Sequence, residues 1–288
     1  MTEITGRTAF ITGGASGIGL GIARELARKG VKLALADLDM PALERATREL
    51  SNVTEVEIVQ LDVRDRDAFA QAADRIEAAL GPVTLLINNA GVAGGGDVSD
   101  LTFDLWDWCL GINLGGVING VQTFLPRMID ASMGGHIVNT GSASGLVGGT
   151  ASLPYCAAKF GVVGLSESLR AELKPSGIGV SVLCPGPVDT DILSRSAHLL
   201  RDEAGSVDSA AARDARMASV LQGGVHPDRA GAMVVAAIRR DQFYIHTDRV
   251  ILQALQERHE EIVAAMPAEQ MNAFTATMSS SLAVRRSA

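Results

Sequence analysis

Tyr155 and Lys159 stand four residues apart near the start of a stretch, residues 154–173, whose pattern predicts a helix, so one face presents a phenol beside an ammonium. A phenol ionises near pH ~10, and a neighbouring ammonium favours the phenolate, which suits such a pair to exchanging a proton with an alcohol. Ser142, thirteen residues before Tyr155 in Asn139-Thr140-Gly141-Ser142-Ala143-Ser144-Gly145, brings a hydroxyl to the end of a β-rich run. A second set of residues suits an anion. Gly13, Gly17 and Gly19 follow the apolar run 8–12 with the spacing G-x3-G-x-G, and Ser16 and Ile18 complete the turn into an amphipathic stretch. A strand, a glycine-rich turn and a helix N-terminus let backbone approach a pyrophosphate while first-turn N–H groups favour its charge. Asp37 lies 24 residues beyond Gly13, where a carboxylate bonds ribose hydroxyls and repels a 2′-phosphate. Leu38, Ala15 and Ser16 bring no cation for such a phosphate, so the residues favour NAD over NADP. Asp62 and Val63 are placed to bracket an adenine, and Asn89, Ala90 and Gly91 to leave open space beside a ligand. Each piece has a plainer reading: a tight turn, a solvated acid, turn chemistry, a surface Tyr–Lys pair.

The elements that must position these residues follow from the hydrophobic pattern. β-rich runs fall at 8–12, 31–36, 56–61, 83–87, 136–140, 178–183 and 243–246. Helical stretches fall at 17–29, 43–50, 67–80, 154–173, 230–240 and 249–266, with one or two helices in 101–130. Several runs, LLIN and HIVN among them, are continuously apolar, as strands buried on both faces are. The pattern predicts an α/β chain with a doubly wound parallel sheet of about seven strands and helices on both faces.

Composition narrows the function. The 288 residues are 47% hydrophobic and 20% charged, enough apolar surface for a large core and unlike a disordered chain. A net charge of −8, with basic residues unclustered, argues against nucleic-acid and membrane-surface partners. Cys109, Cys156 and Cys184 form no CxxC, and the 5 His residues show no ligand spacing, so neither disulfides nor a metal is expected. No apolar run reaches the ~18 residues of a spanning helix, and the first residues read as no leader, which gives a cytoplasmic expectation. Trp106 and Trp108 read as packing residues.

TGGASGIG at 12–19, NNAG at 88–91, Asn113 in INLGG, Ser142 in GSASG, YCAAK at 155–159 and PGPVDT at 185–190 occur in one order over residues 5–247. Jointly they resemble the single-domain branch of the short-chain dehydrogenase/reductase family. The resemblance implies a Rossmann-type fold and a Ser-Tyr-Lys-Asn mechanism. In it Tyr155 is the acid/base. Lys159 lowers its pKa and holds the nicotinamide ribose. Ser142 positions the substrate oxygen, and Asn113 supports a proton-relay water. It also implies that Pro185, Gly186, Val188 and Thr190 embrace the nicotinamide, and that the protein is a homodimer or homotetramer. Residues 1–247 are read as the dinucleotide-binding and catalytic domain, and 248–288 as a helical extension and tail that caps the pocket or sits at an interface. That tail is similar to the tail of bacterial Cα-dehydrogenases that oxidise benzylic alcohols of lignin-type aryl ethers.

Residues 191–224 fall where the family has its substrate loop and are read as a lid over a mainly apolar pocket, the alternative being an outer helical hairpin. Val92, Ala93, Ser144, Leu146, Val147, Leu153, Ile192 and Leu193 are the expected walls, while Arg195, His198 and Arg201 read as solvated charges. The expectation is an NAD-dependent short-chain alcohol dehydrogenase for a bulky apolar secondary alcohol or its ketone, aryl, steroid or terpenoid. The rivals are an NADP-dependent ketoreductase or 3-oxoacyl reductase, opposed by Asp37, and a cofactor-sensing binding protein without turnover, opposed by the complete catalytic set.

Overall fold

Strands such as TAFIT and VTLLIN have no polar face to offer water, so both sides of their sheet must be covered. The computed structural model, which describes residues 2–94, 98–204 and 218–267, meets that demand. Among the described residues the strands are β1 (Thr8–Thr12), β2 (Lys32–Asp37), β3 (Val56–Gln60), β4 (Val83–Asn88), β5 (Gly135–Thr140), β6 (Ile178–Leu183) and β7 (Tyr244–Ile245). They form one parallel sheet in the order β3-β2-β1-β4-β5-β6-β7. The order reverses between β1 and β4, and in such sheets the crevice at the carboxyl ends of the strands beside the reversal is where ligands bind.

The helices are α1 (Gly17–Ala27), α2 (Met40–Leu50), α3 (Arg66–Leu80), α4 (Phe103–Leu110), α5 (Gly116–Ala131), α6 (Leu153–Leu173), α7 (Ile192–Ala204), α8 (Pro227–Arg240) and α9 (Leu252–Ala264). Alternation along β1 divides the core. Ile11, with Leu33, Leu35 and Ile87, packs under Ile22 and Leu26 of α1, Leu43 of α2 and Val234 and Ile238 of α8. Phe10 faces the other way, its ring 4.6 Å from Phe124 of α5 and 5.9 Å from Phe69 of α3.

Helix ends follow local chemistry. The Asp39 carboxylate accepts the Ala42 N–H at 2.9 Å, and Asp65 accepts that of Ala68 at 2.9 Å. Asp39 and Pro41 start α2 three residues before the apolar stripe does, and Pro227 likewise starts α8 early. The long stretch at 101–130 resolves into α4 and α5 joined by a π-helical turn, Gly111–Gly115. The segment read as a lid contains α7, while Met217 and residues 205–217 of that segment and 268–288 of the tail lie outside the described residues. No described helix is long and apolar enough to cross a membrane.

Where α1 meets α8 the backbones touch: a Cβ on Gly231 would overlap the Gly21 carbonyl oxygen, whereas Gly164, exposed on α6, has nothing within 4 Å of its Cβ position. Gly231→Ala should therefore destabilise by about 1–3 kcal/mol and Gly164→Ala should stabilise by about 0.5–1 kcal/mol. Chemical denaturation of the two variants checks both signs; a neutral Gly231→Ala would show that the helices can separate without penalty.

Candidate active site

A cavity of about 930 Å³ opens at the carboxyl ends of β1, β2, β4 and β5, inside the ~300–1,000 Å³ range of small-molecule sites. Its floor is the glycine-rich turn. Gly13 (φ +62°) and Gly17 (φ +50°) take left-handed backbone, and a Cβ on Gly13 would come 2.9 Å from Ala90 Cα. Gly13, Ser16, Gly17 and Ile18 line the cavity. Gly19 does not: it lets the turn close, since a Cβ there would overlap the Gly13 carbonyl. Ser16 precedes α1 but makes no side-chain cap bond, so the first-turn N–H groups keep their capacity for an anion. That uncapped end fits a dinucleotide pyrophosphate.

Polar side chains tie the strand ends together. The Thr12 hydroxyl oxygen accepts the N–H groups of Asn89 at 2.9 Å and Ala90 at 3.0 Å. The Asn89 amide donates to Thr12 O at 3.1 Å and Gly13 O at 3.3 Å, and its oxygen accepts the Thr140 hydroxyl at 3.4 Å. Asp37, at the end of β2, is buried, and its carboxylate accepts the Ala15 N–H at 3.3 Å. Leu38 and Val63 line the cavity beside it. Asp62 lines it too, with its carboxylate committed to Arg64 at 2.6 Å. Burial raises that carboxyl, but the bonds from Arg64 outweigh burial and hold it below its ordinary value.

Asn113 sits in the π-helical turn, fully buried, its oxygen accepting the Val92 N–H at 3.2 Å while its amide donates to Val92 O and Cys109 O, each at 3.1 Å. The side chain thus clamps the loop after β4. A Cβ on Gly91 would lie 2.9 Å from Asn113 Oδ1 and 3.6 Å from Lys159 Nζ, so the three residues meet. Tyr155 and Lys159 both line the cavity from α6, with Lys159 Nζ 5.6 Å from the Tyr155 ring centroid and donating to Thr140 O at 2.9 Å. The Ser142 hydroxyl accepts the Ser144 N–H at 3.1 Å and lines the same cavity as the Tyr155 phenol, whose acidity it favours.

Burial governs the ionisation of Tyr155 and Lys159. It pushes the Tyr155 phenol up to about 12, against the pull of Ser142. It pushes Lys159 down to about 8. The expectation that the ammonium lowers the phenol is therefore corrected: the ammonium is directed at Thr140 O, and loss of water dominates at both groups.

The remaining walls depart from expectation in instructive ways. Pro185, Gly186, Val188 and Thr190 line the cavity, as do Val92 and Ile192. Ala93 instead gives its N–H to the Ser196 hydroxyl at 2.8 Å. Leu146 packs on Val117, Val162 and Val163, Ser144 bonds Thr150 at 2.8 Å, and Val147 is buried. Leu153 is 50% exposed at the start of α6, and Leu193 points off the wall formed by its neighbours on α7. Residues 192, 196 and 199 are the helical face that lines the cavity, with Arg195 and His198 beside them. The reading of Arg195 as a solvated charge is overturned: Nη2 lies 3.3 Å from Asp37 Oδ1 and 3.8 Å from Asp39 Oδ2. The apolar spacing across 192–199 is the signal that reveals this face; the side chain of Arg201 lies outside the described residues. No cluster of metal-binding side chains occurs among the described residues.

Comparisons with known proteins agree on the family and the fold. Residues 7–199 match the family model described as short chain dehydrogenase. A C alpha-dehydrogenase of Sphingobium is 37% identical over 268 residues, 91% of this chain and 87% of that protein. A Burkholderia phymatum short chain dehydrogenase/reductase solved in complex with NAD superposes with a TM-score of 0.86 at 36% identity, covering 94% of this chain and 100% of that one. The apo form of LigD from Sphingobium gives 0.78 at 33% identity, covering 93% and 100%.

A lysine held near 8 in the fold and near 10.5 when unfolded weakens the fold at neutral pH by of order 3 kcal/mol before its bond to Thr140 is counted. Lys159→Met should raise the melting temperature of the nucleotide-free protein by about 2–4 °C at pH 7. The gain should shrink between pH 8 and 10.5: below 8 both states of the wild type carry the charge, and above 10.5 neither does. A lower melting temperature for the variant would mean that the Thr140 bond outweighs desolvation.

Proposed function

The chain belongs to the short-chain dehydrogenase/reductase family of oxidoreductases, and from that premise we propose that it is an NAD-dependent dehydrogenase of a bulky, largely apolar secondary alcohol or its ketone. The observation that carries this reading is the convergence of Ser142, Tyr155, Lys159 and Asn113 on the wall of a cavity whose floor is the glycine-rich turn. The nicotinamide dinucleotide, when bound, supplies hydride chemistry. Gly13, Ser16, Gly17 and Ile18 would hold its pyrophosphate, Asp37 and Leu38 its adenosine ribose, and Asp62 and Val63 its adenine, with Gly19 shaping the turn. Asn89, Ala90 and Gly91 would leave room beside it, and Pro185, Gly186, Val188 and Thr190 would hold the nicotinamide. The carboxylate of Asp37 supports NAD over NADP.

Tyr155 exchanges the proton at the substrate oxygen, and Ser142 donates a hydrogen bond to that oxygen and stabilises its developing charge. Lys159 would hold the nicotinamide ribose, and Asn113 keeps the loop after β4 in place through Val92. A phenol held near 12 is protonated at neutral pH and so ready to donate to a ketone oxygen; alcohol oxidation draws on the phenolate and should accelerate as pH rises. Val92, Ile192, Leu199 and Leu221 on the cavity wall support an apolar substrate, as does the similarity to a C alpha-dehydrogenase. We further read residues 1–247 as the catalytic unit, 248–288 as its extension, and the assembly as a cytoplasmic homodimer or homotetramer.

The test is reduced-cofactor production at alkaline pH from aryl carbinols, steroids, terpenoid alcohols and small polyols, with NAD and NADP in parallel. Turnover with NAD on one apolar class is the expected result; turnover confined to polyols would reject the apolar assignment. Tyr155→Phe should cut turnover about 10²–10⁴-fold with NADH binding retained, and near-normal turnover would remove Tyr155 from the acid/base role.

A further inference from the structure

Asp37 is not a lone carboxylate. Its Oδ2 accepts the Ala15 N–H at 3.3 Å, while its Oδ1 accepts the Asp39 N–H at 3.2 Å and faces Arg195 Nη2 at 3.3 Å. The guanidinium arrives from α7, across the cavity, and its placement is fixed by the next residue: the Ser196 hydroxyl accepts the Ala93 N–H at 2.8 Å and donates to Ile192 O at 2.5 Å. Asp39 contributes a second carboxylate, 3.8 Å from Arg195, and is otherwise occupied as the cap of α2. The glycine turn adds no charge here. Around the end of β2 there are thus two carboxylates and one guanidinium, not the bare acid that the sequence suggests. An arginine carries five N–H donors in a planar fork that matches a phosphate, and the bond to Asp37 uses one of them.

On the reading that a dinucleotide lies in this cavity with its adenosine ribose at Asp37, we propose that Arg195 is a second reader of the ribose 2′ position. It screens Asp37 and Asp39 and turns unused N–H donors toward a 2′-phosphate. Nucleotide choice is then set jointly by the end of β2 and by the helix over the site, and the preference for NAD is shallower than Asp37 alone would make it. Because the guanidinium belongs to α7, a phosphorylated ribose would also add a contact between the cofactor and that helix.

The experiment is equilibrium binding of NADH and NADPH to the full-length chain by fluorescence, for the wild type, Arg195→Gln, Arg195→Lys and Asp37→Asn. Arg195→Gln should raise the ratio of the NADPH Kd to the NADH Kd about tenfold, the size of one charge-assisted hydrogen bond at a partly exposed position. Arg195→Lys, which keeps the charge, should stay closer to the wild type, and Asp37→Asn should lower the ratio. NADPH binding should also lose part of its ionic-strength dependence in Arg195→Gln. An unchanged ratio with both affinities weakened would place Arg195 on a group common to the two nucleotides, and an unchanged ratio with both strengthened would make it a competitor for Asp37; either overturns the proposal. If the wild type binds neither nucleotide, the dinucleotide reading itself fails, and this inference with it. The Arg195 side chain is 35% exposed, and melting temperatures of both variants near the wild type would establish that binding rather than folding is being read.

Discussion

Between β1 and β4 the crossover connections leave in opposite directions, and backbone groups at the strand ends there run out of ladder partners while still shielded from water. Such groups must find hydrogen bonds or weaken the fold. Thr12, Asn89 and Thr140 answer that demand with short side chains: Thr12 takes two backbone N–H groups of the β4 end, Asn89 serves the carbonyls of Thr12 and Gly13, and Thr140 reaches Asn89 from β5. The same chain of bonds continues to Lys159, which donates to Thr140 O. The constraint that closes the sheet therefore also locates α6, and with it the phenol of Tyr155. The site is a consequence of satisfying the sheet at its reversal.

The environment this creates favours uncharged forms. Lys159 is 3% exposed with one hydrogen bond to a carbonyl, and burial drives it and Tyr155 toward neutrality from opposite sides. Cys109 and Cys184, also buried, are pushed up and stay as thiols, so they act as small apolar wall rather than as nucleophiles. A carboxylate placed among these groups would change their ionisation; the nearest polar residues are instead Ser142 and Asn113, which carry no charge. Asn113 spends its amide on Val92 and Cys109, so rigidity of the loop after β4 is obtained without a charge next to the reacting groups. The cost falls on stability and is offset by the two apolar layers on either side of the sheet.

What could be read in the sequence follows from this division. The strands, the order of helices and the residues of the glycine-rich turn are local in sequence, and alternation, caps and glycines report them. Asp37, Tyr155 and Lys159 could also be singled out by their spacing, and all three line the cavity. The sign of the shift at Tyr155 could not be read that way, because it depends on where the ammonium points and on how much water the fold removes. Arg195 was illegible as an ionic partner of Asp37 for a different reason: the two lie 158 residues apart in sequence, and neither neighbours a motif that names the other. Six of the eight expected wall residues failed likewise, Val92 and Ile192 being the two that line the cavity. Leu146 and Leu153 follow the Ser142 motif closely, yet one packs into the core against Val117 and the other turns outward. Proximity in sequence to a reactive residue does not determine which side of a loop faces the cavity.

The chain beyond β7 has a physical route to the same cavity. Gly186 lines it, and its N–H donates to the Thr247 hydroxyl at 3.1 Å, which in turn donates to Asp248 at 2.7 Å. A Cβ on Gly186 would overlap the Asp248 carboxylate, so this glycine is demanded by the residue that opens the extension as much as by any ligand. Asp248 then accepts the Val250 N–H at 2.9 Å, which sets the chain toward α9, and Arg258 of α9 lies 5.3 Å over the Phe160 ring, one residue beyond Lys159. The extension thus touches both the 185–190 loop and α6, the elements that hold the two sides of the site. Asp248 and Arg258 pack on both of these elements while neither lines the cavity itself.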